Sequence, residues 1–197
     1  MNAAEVLTPT PKLVRDDLEN SDQYEIIDGV KVEMPPMSVD SQMLAARLAR
    51  HLSNFGVTKD IGEACAEVLF KLPLPKDRNR KPDVAFVSYG RWAKNRPWPT
   101  TNAWVVLPDL CVEVVSPTDH ADEIETKINE YFDAGVSLVW IVYPRQERLY
   151  VYDSPAQVRR LTRTDTLDGG IVLPGFQLSL AELFLQPPPP AQPPTQP

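Results

Sequence analysis

An almost uninterrupted apolar run at residues 110–115, Leu-Cys-Val-Glu-Val-Val, constrains the fold of this chain more than any other feature. A run of this kind, ended here by Ser116-Pro117, is typical of a strand buried on both faces of a sheet. The pattern that follows predicts a helix over residues 119–134, ended by Gly135, and a second buried strand over residues 138–142. The order strand, helix, strand predicts a crossover unit within one sheet.

The rest of the chain adds a hairpin, a long helix and further strands. Residues 24–32 predict the hairpin, because Asp28-Gly29 supplies the positive φ values of a tight turn. A stripe of leucines at every fourth position predicts the helix over residues 38–55, which Ser38 would cap and Gly56 would end. The fold class is therefore α/β or α+β with a mixed central β-sheet. The further strands are expected at residues 68–72, 84–87 and 149–152.

Proline marks the end of the expected folded region. Seven of the 21 prolines fall in the last eleven residues, so the tail at residues 186–197 is expected to be extended and disordered. Residues 1–23 form an acidic segment with a short expected helix, and residues 24–185 form one domain. At 197 residues, with 43% apolar and 24% charged positions, the chain can bury a core without disulfides or metals.

Charge and cysteine content exclude several classes of protein. Acidic residues outnumber basic ones by 27 to 20, and the net charge of −7 excludes a protein that binds nucleic acid through bulk charge alone. Two cysteines are too few for a disulfide framework or a Cys-rich zinc site, and they indicate a reducing, cytoplasmic setting. No apolar run approaches the roughly 18 residues of a membrane span, and no signal peptide is expected at the N-terminus.

The candidate chemistry rests on acidic residues. The sequence has no glycine-rich phosphate loop, no G-x-S-x-G elbow and no H-E-x-x-H motif, and two histidines are too few for a His-rich metal site. Glu113 lies in the middle of the apolar run, where an unpaired charge is costly to bury. Asp83 opens the strand after Pro82. Each has a structural alternative, a solvated strand face for Glu113 and a strand-entry turn for Asp83.

Asp83 and Glu113 together would make an oxygen-only site suited to Mg²⁺ or Mn²⁺. Such an ion polarises a phosphoryl oxygen. Lys127 borders the expected buried face of the second helix and could place an ammonium near the phosphate, where it would stabilise the transition state. The alternative is a lysine whose stem covers apolar surface. Glu25 is a weaker candidate, because in a hairpin it is expected to be exposed.

Several motifs, in consistent order, resemble one family. The sequences Arg-Lys-Pro-Asp-Val-Ala-Phe-Val at residues 80–87 and Pro-Asp-Leu-Cys-Val-Glu-Val-Val-Ser-Pro at residues 108–117 resemble the Uma2 family, also called DUF820. Tyr-Glu-Ile-Ile-Asp-Gly at residues 24–29 is similar to that family's early motif. The resemblance covers about residues 24–185. Further positions that fit are Lys127, Tyr131, Ala134-Gly135-Val136 and Val139-Trp140-Ile141-Val142.

The resemblance implies a bacterial protein of the PD-(D/E)XK superfamily, with a restriction-endonuclease-like mixed sheet flanked by helices. It also implies Asp83 and Glu113 as metal ligands. The lysine of the superfamily's E-x-K pattern would fall at Val115, and the resemblance implies that Lys127 of the helix replaces it. Relatives often carry a His-Gln pair where this chain has Ser41-Gln42.

Basic residues cluster around Asp83. The window at residues 76–96 holds seven bases and two acids, and its second half interleaves cations with tryptophans, as phosphate contacts combined with base stacking would require. The alternative is an ordinary charged loop whose tryptophans cover the core or a dimer partner. The candidate nucleic-acid contacts are Arg78, Arg80, Lys81, Arg91, Lys94 and Arg96.

These features predict a metal-dependent endonuclease-like hydrolase that cleaves phosphodiester bonds, with DNA as the expected substrate. Asp83 and Glu113 would hold Mg²⁺ or Mn²⁺, and Lys127 would orient the attacking water and offset phosphate charge. One alternative is a nucleic-acid-binding module that keeps the fold without cleaving. Another is an interaction protein that uses the Pro-rich tail and the tryptophan loop. This loop lies between the strands expected at residues 84–87 and 110–115 and holds three of the four tryptophans. A homodimer is expected only by analogy with nucleases of this fold.

Overall fold

A computed structural model describes residues 23–185, and the predictions for residues 1–22 and 186–197 lie outside that range. None of the helices in the described range is long and apolar enough to span a membrane. The strands are β1 (Tyr24–Ile27), β2 (Val30–Glu33), β3 (Gly62–Ala66), β4 (Phe70–Leu72), β5 (Arg78–Arg80), β6 (Val84–Ser88), β7 (Leu110–Val114), β8 (Leu138–Tyr143), β9 (Arg148–Ser154), β10 (Gln157–Thr162), β11 (Thr166–Gly169) and β12 (Leu173–Ser179). The helices are α1 (Val39–Thr58), α2 (Ala121–Ala134) and α3 (Leu180–Leu183).

A six-stranded mixed sheet organises the domain. Its strand order is β10-β9-β8-β7-β6-β3. The predicted crossover is confirmed, because β7 and β8 pair in parallel and α2 connects them. Gly135 ends α2 in the left-handed conformation, with φ of 95°, as expected. The remaining pairs of this sheet are antiparallel, so the predicted mixed sheet is confirmed as well.

The two faces of the central sheet carry separate apolar clusters. Alternation along β6 sends Val84 and Phe86 to one face and Ala85 and Val87 to the other. The first face packs against α1, β12 and α3. The second face packs against α2 and against the short strand β4. This second face is the one on which the candidate site lies.

A smaller four-stranded sheet, in the order β2-β1-β5-β4, lies beside α2. The predicted hairpin is confirmed, since β1 and β2 pair around Asp28 and Gly29, whose φ values are 53° and 79°. Between the strands expected at residues 68–72 and 84–87 the structure has a further strand, β5, which pairs with both β1 and β4. Strand β1 is therefore an inner strand of this sheet, and its residues are more buried than those of an isolated hairpin.

The expected end of the long helix at Gly56 is wrong. Helix α1 continues to Thr58, and Lys59 caps it. Gly56 is buried against β3 and β6: a Cβ there would lie 2.5 Å from the carbonyl oxygen of Gly62 and 2.6 Å from the ring of Phe86. The glycine thus permits close packing of the helix on the sheet. Ser38 holds the N-cap position but makes no side-chain cap bond, because its hydroxyl donates to Asp40.

Candidate functional site

Asp83 immediately precedes β6, and Glu113 lies on β7, the antiparallel neighbour of β6. Val84 of β6 pairs with Val112 of β7, and the same register places Asp83 opposite Glu113. The backbone N–H of Val114 donates to Oδ2 of Asp83 at 2.5 Å, which fixes the Asp83 carboxylate against β7. The two carboxylates predicted to share a site are therefore brought together by strand pairing.

Glu113 is held by two side chains of α2. The ammonium of Lys127 lies 3.0 Å from its Oε2, and the hydroxyl of Tyr131 donates to its Oε1 at 2.5 Å. Lys127 and Tyr131 are four residues apart, so they share one face of the helix. Burial raises the pKa of Glu113, although the positive charge of Lys127 acts in the opposite direction.

Glu25, the weaker candidate in the sequence, also contacts Lys127. Its side chain is 1% exposed, so the expectation that a hairpin carboxylate faces solvent is wrong. Its Oε1 lies 3.5 Å from Nζ of Lys127 and accepts a hydrogen bond from the backbone N–H of Lys81 at 3.0 Å. Burial opposes the charged form of Glu25, but Lys127 and Arg80 outweigh it and lower its pKa. The motif at residues 24–29, which resembles a family motif, was the signal in the sequence that pointed to Glu25 as a site residue.

Arg80, expected to contact nucleic acid, is instead buried and fully engaged in ion pairs. Its guanidinium contacts Oε2 of Glu25 at 2.5 Å and Oε2 of Glu130 at 2.6 Å, and the residue is 4% exposed. Arg78 contacts Glu130 at 3.1 Å and Asp28 at 2.9 Å. Both arginines join the small sheet to α2 through Glu130, and Arg80 also holds Glu25.

The site holds more negative than positive charge. Lys127 faces both Glu25 and Glu113, and although burial opposes its charge the two glutamates raise its pKa. Burial, together with the charge of Glu113, raises the pKa of Asp83 to about 8. Asp83 is the one of these three carboxylates with no direct contact to Lys127 among the described ion pairs. A cation placed beside Asp83 would stabilise its ionised carboxylate against burial and against the negative charge of Glu113.

A small cavity of about 80 Å³ opens at this point. Lys81, Asp83, Glu113, Ser116 and Lys127 are among the residues that line it. Within residues 23–185 no group of three or more His, Cys, Asp or Glu side chains is arranged to hold a metal ion. Asp83 and Glu113 are the two lining carboxylates predicted as metal ligands, and Mg²⁺ commonly binds through only one or two carboxylates plus water and substrate phosphates.

The remaining basic residues predicted to contact nucleic acid lie in and near the tryptophan loop. Arg91 is paired with Asp109 at 2.7 Å, and Lys94 with Asp60 at 2.6 Å. Arg96 is exposed and its guanidinium lies 3.9 Å from the centre of the Trp92 ring. The structure thus brings Lys81 to the cavity and leaves Lys94 and Arg96 on the surface of the loop.

Comparison with known proteins agrees with the fold. The Uma2 family model, described as "Putative restriction endonuclease", matches residues 12–181. A crystal structure described as "a putative nuclease belonging to DUF820", from Anabaena variabilis, superposes with a TM-score of 0.73 at 16% identity, covering 85% of this chain and 93% of that chain. No curated protein matches. Because the family model spans most of the 197 residues, the chain belongs to the Uma2 family.

Proposed function

We propose that this protein is a metal-dependent endonuclease-like hydrolase that cleaves phosphodiester bonds, with DNA as its substrate. The observation that carries the proposal is the convergence of Asp83, Glu113 and Lys127 on one cavity, although they come from the start of β6, from β7 and from α2. Family membership supports a restriction-endonuclease-like nuclease. The fold supports it as well, because it is shared with a crystal structure described as a putative nuclease.

The donor set fits Mg²⁺ or Mn²⁺. Asp83 and Glu113 offer hard carboxylate oxygens, and no histidine or cysteine is among the described residues that line the cavity. The raised pKa of Asp83, about 8, means that the carboxylate lacks a nearby positive partner strong enough to offset burial and Glu113. A bound divalent ion supplies Lewis-acid polarisation of a phosphoryl oxygen. Asp83 and Glu113 are the residues that would hold it.

Lys127 would provide the protein's own positive charge. Its ammonium is held in place by Glu113 and Glu25, at 3.0 and 3.5 Å, so it is oriented before substrate arrives. The developing negative charge on a phosphate in the cavity would be stabilised by this preorganised cation. Glu25 and Tyr131 act as positioning residues in this scheme, because they contact Lys127 and Glu113 respectively.

Calorimetric titration of Mg²⁺ and Mn²⁺ into the metal-free protein, with plasmid nicking assayed in parallel, tests the proposal. Glu113→Gln removes one proposed ligand charge without changing its size, and we expect it to abolish nicking and weaken metal binding by at least about tenfold. Glu125→Gln is the matched control, because Glu125 is an exposed residue of α2 outside the cavity lining. The control should bind metal and nick DNA as the wild type does.

A second candidate function is a nucleic-acid-binding module without cleavage. The ion pair with Lys127 and the hydrogen bond from Tyr131, which occupy the two oxygens of Glu113, favour it, since they stabilise the site without a metal. The nuclease proposal would be overturned in favour of this module if the wild-type protein binds DNA but neither binds metal nor cleaves DNA.

The homodimer and the cytoplasmic location stay predictions. Light scattering coupled to size-exclusion chromatography checks the homodimer.

A further inference from the structure

A second, larger cavity of about 340 Å³ lies between β3 and the loop that follows β6. Its walls include Trp92, Trp98 and Trp104. The rings of Trp92 and Trp98 meet the ring of Trp104 nearly at right angles, with centroids 5.1 and 5.3 Å away. Trp104 is part of the core, whereas Trp98 is 60% exposed. An exposed tryptophan at the mouth of an aromatic cavity offers a stacking surface for a flat ligand.

The charges around this cavity favour a ligand that carries negative charge outside it. Arg96 already stacks on Trp92 at 3.9 Å, and Lys94 lies 5.5 Å from the ring centre of Tyr89, which also lines the cavity. Two of the aromatic rings are thus occupied by the protein's own cations, which disfavours a quaternary ammonium ligand. Arg96 is exposed beside Trp92 and could meet the phosphate of a nucleotide whose base lies inside, whereas Lys94 is already paired with Asp60 at 2.6 Å.

The aromatic cavity lies on the same sheet face as the candidate site. Val87 lines it, and Val87 is four residues along β6 from Asp83, with side chains that alternate to the same side. At about 3.3 Å per residue the two points are roughly 13 Å apart along the strand. A single nucleic-acid strand with its phosphate at Asp83 is therefore long enough to place a nearby base at the tryptophans.

One polar group inside the cavity can read the edge of a base. Glu63 pairs with Val87 across β3 and β6, so its side chain lies on the same face, and its Oε1 accepts the hydroxyl of Tyr89 at 2.9 Å. A carboxylate has two oxygens with about four lone-pair sites, so Glu63 keeps acceptor capacity. Acidic side chains accept from the exocyclic amine of cytosine. Thymine presents carbonyl oxygens on either side of its N–H, and these repel a carboxylate.

We infer that this aromatic cavity binds an unpaired nucleobase, so that the substrate class of the protein is single-stranded or locally unpaired nucleic acid, with cytosine preferred over thymine. The inference rests on the proposed nuclease function, because it places a phosphate of the same nucleic-acid strand at Asp83. It is separable from that function in experiment, since base binding requires neither metal nor cleavage. The observations behind the inference are the aromatic walls of the cavity and Arg96 beside Trp92, and not the carboxylate site.

Binding is measured on the full chain in EDTA, by tryptophan fluorescence and by anisotropy of labelled oligo-dC, oligo-dT and a duplex of the same length. We expect oligo-dC to bind tightest and the duplex weakest. Trp98→Ala should weaken oligo-dC binding by about tenfold or more. Val105→Ala is the matched control, because Val105 is 74% exposed in the same loop and does not line the cavity, and it should bind as the wild type does.

Glu63→Gln provides a second test that does not remove an aromatic ring. It should reduce the preference for oligo-dC over oligo-dT while leaving oligo-dT binding within about twofold. Duplex binding as tight as that of single strands, or Trp98→Ala binding equal to wild type, would overturn the inference. So would tryptophan quenching by tetramethylammonium in the absence of oligonucleotide binding, which would mark a cation cage. Failure of plasmid nicking alone would bear on the proposed nuclease and not on this cavity.

Discussion

The ammonium of Lys127 lies 3.0 Å from the carboxylate of Glu113, and their side chains are only 12% and 9% exposed. Glu113 belongs to the middle of β7 and Lys127 to the middle of α2, which packs on the same face of the sheet. Within the described ion pairs Lys127 also contacts Glu25, so one cation serves two buried carboxylates. Glu25 also pairs with Arg80, whereas Lys127 is the only cation that contacts Glu113 among the described ion pairs.

Replacing Lys127 should destabilise the protein strongly. Lys127→Met leaves Glu113 and Glu25 buried without their shared cation, and breaking a buried pair from one side costs about 3 kcal/mol. Lys127→Arg keeps the charge and should cost less than half as much. Urea unfolding at neutral pH measures both. A Lys127→Met protein as stable as the wild type would mean that Glu113 is already protonated in the folded state.

The pair Glu25 and Arg80 should be strongly coupled. Both are almost completely buried and their charged groups lie 2.5 Å apart. A double-mutant cycle with Glu25→Gln and Arg80→Met is expected to give a coupling energy of about 2 kcal/mol, measured by chemical unfolding. The surface pair Lys94 and Asp60, with side chains 58% and 70% exposed, is the control and should give less than about 1 kcal/mol. Equal coupling in the two cycles would contradict this account.

Local signals predicted those parts of the fold that local chemistry determines. The turn at Asp28-Gly29 needs positive φ at both positions, and Gly135 needs a left-handed φ, so each could be located from sequence. Asp83 and Glu113 were predicted as a pair because buried carboxylates in apolar strands are unusual. Their convergence with Lys127 was only an expectation, since it depends on strand register and on where α2 packs.

Long-range pairing determines what the sequence did not predict. Glu25 is buried because β1 pairs with β5, more than 50 residues later, and nothing within residues 24–32 indicates that partner. Strand β3, Gly-Glu-Ala-Cys-Ala, lacks β-branched residues, and it becomes a strand by pairing along β6. Arg80 was expected at the surface because its two acidic partners come from distant segments. In each case the missing information is the identity of a distant neighbour.

The buried glycine of α1 gives a prediction opposite to helix propensity. Gly56→Ala would ordinarily stabilise a helix, but here the added Cβ would lie 2.5 Å from the backbone of Gly62. We expect a loss of about 2 kcal/mol of unfolding free energy, because backbone cannot move aside as a flexible side chain can. Gly90→Ala is the control: its nearest neighbour to a Cβ is 3.7 Å away. Thermal unfolding of the two variants should show a lower Tm for Gly56→Ala alone.

The raised pKa of Asp83 predicts that the metal-free protein loses stability as pH rises. The folded state holds the Asp83 proton up to about pH 8, whereas the unfolded chain releases it near the ordinary aspartate value of 3.8. Between these values the folded state binds more protons, so unfolding free energy falls with pH, by at most about 1.4 kcal/mol per pH unit for this one group. The loss should be complete above about pH 8, in unfolding curves measured with EDTA from pH 5 to pH 9.

Asp83→Asn isolates this contribution, because asparagine resembles the protonated acid in shape and carries no charge. The variant should show a shallower decline of stability between pH 5 and pH 8 than the wild type. Mg²⁺ should stabilise the wild type most at high pH, where the ionised carboxylate is the species that binds it, and should have little effect on Asp83→Asn. If both proteins decline in parallel and respond alike to Mg²⁺, Asp83 is neither the titrating group nor a metal ligand.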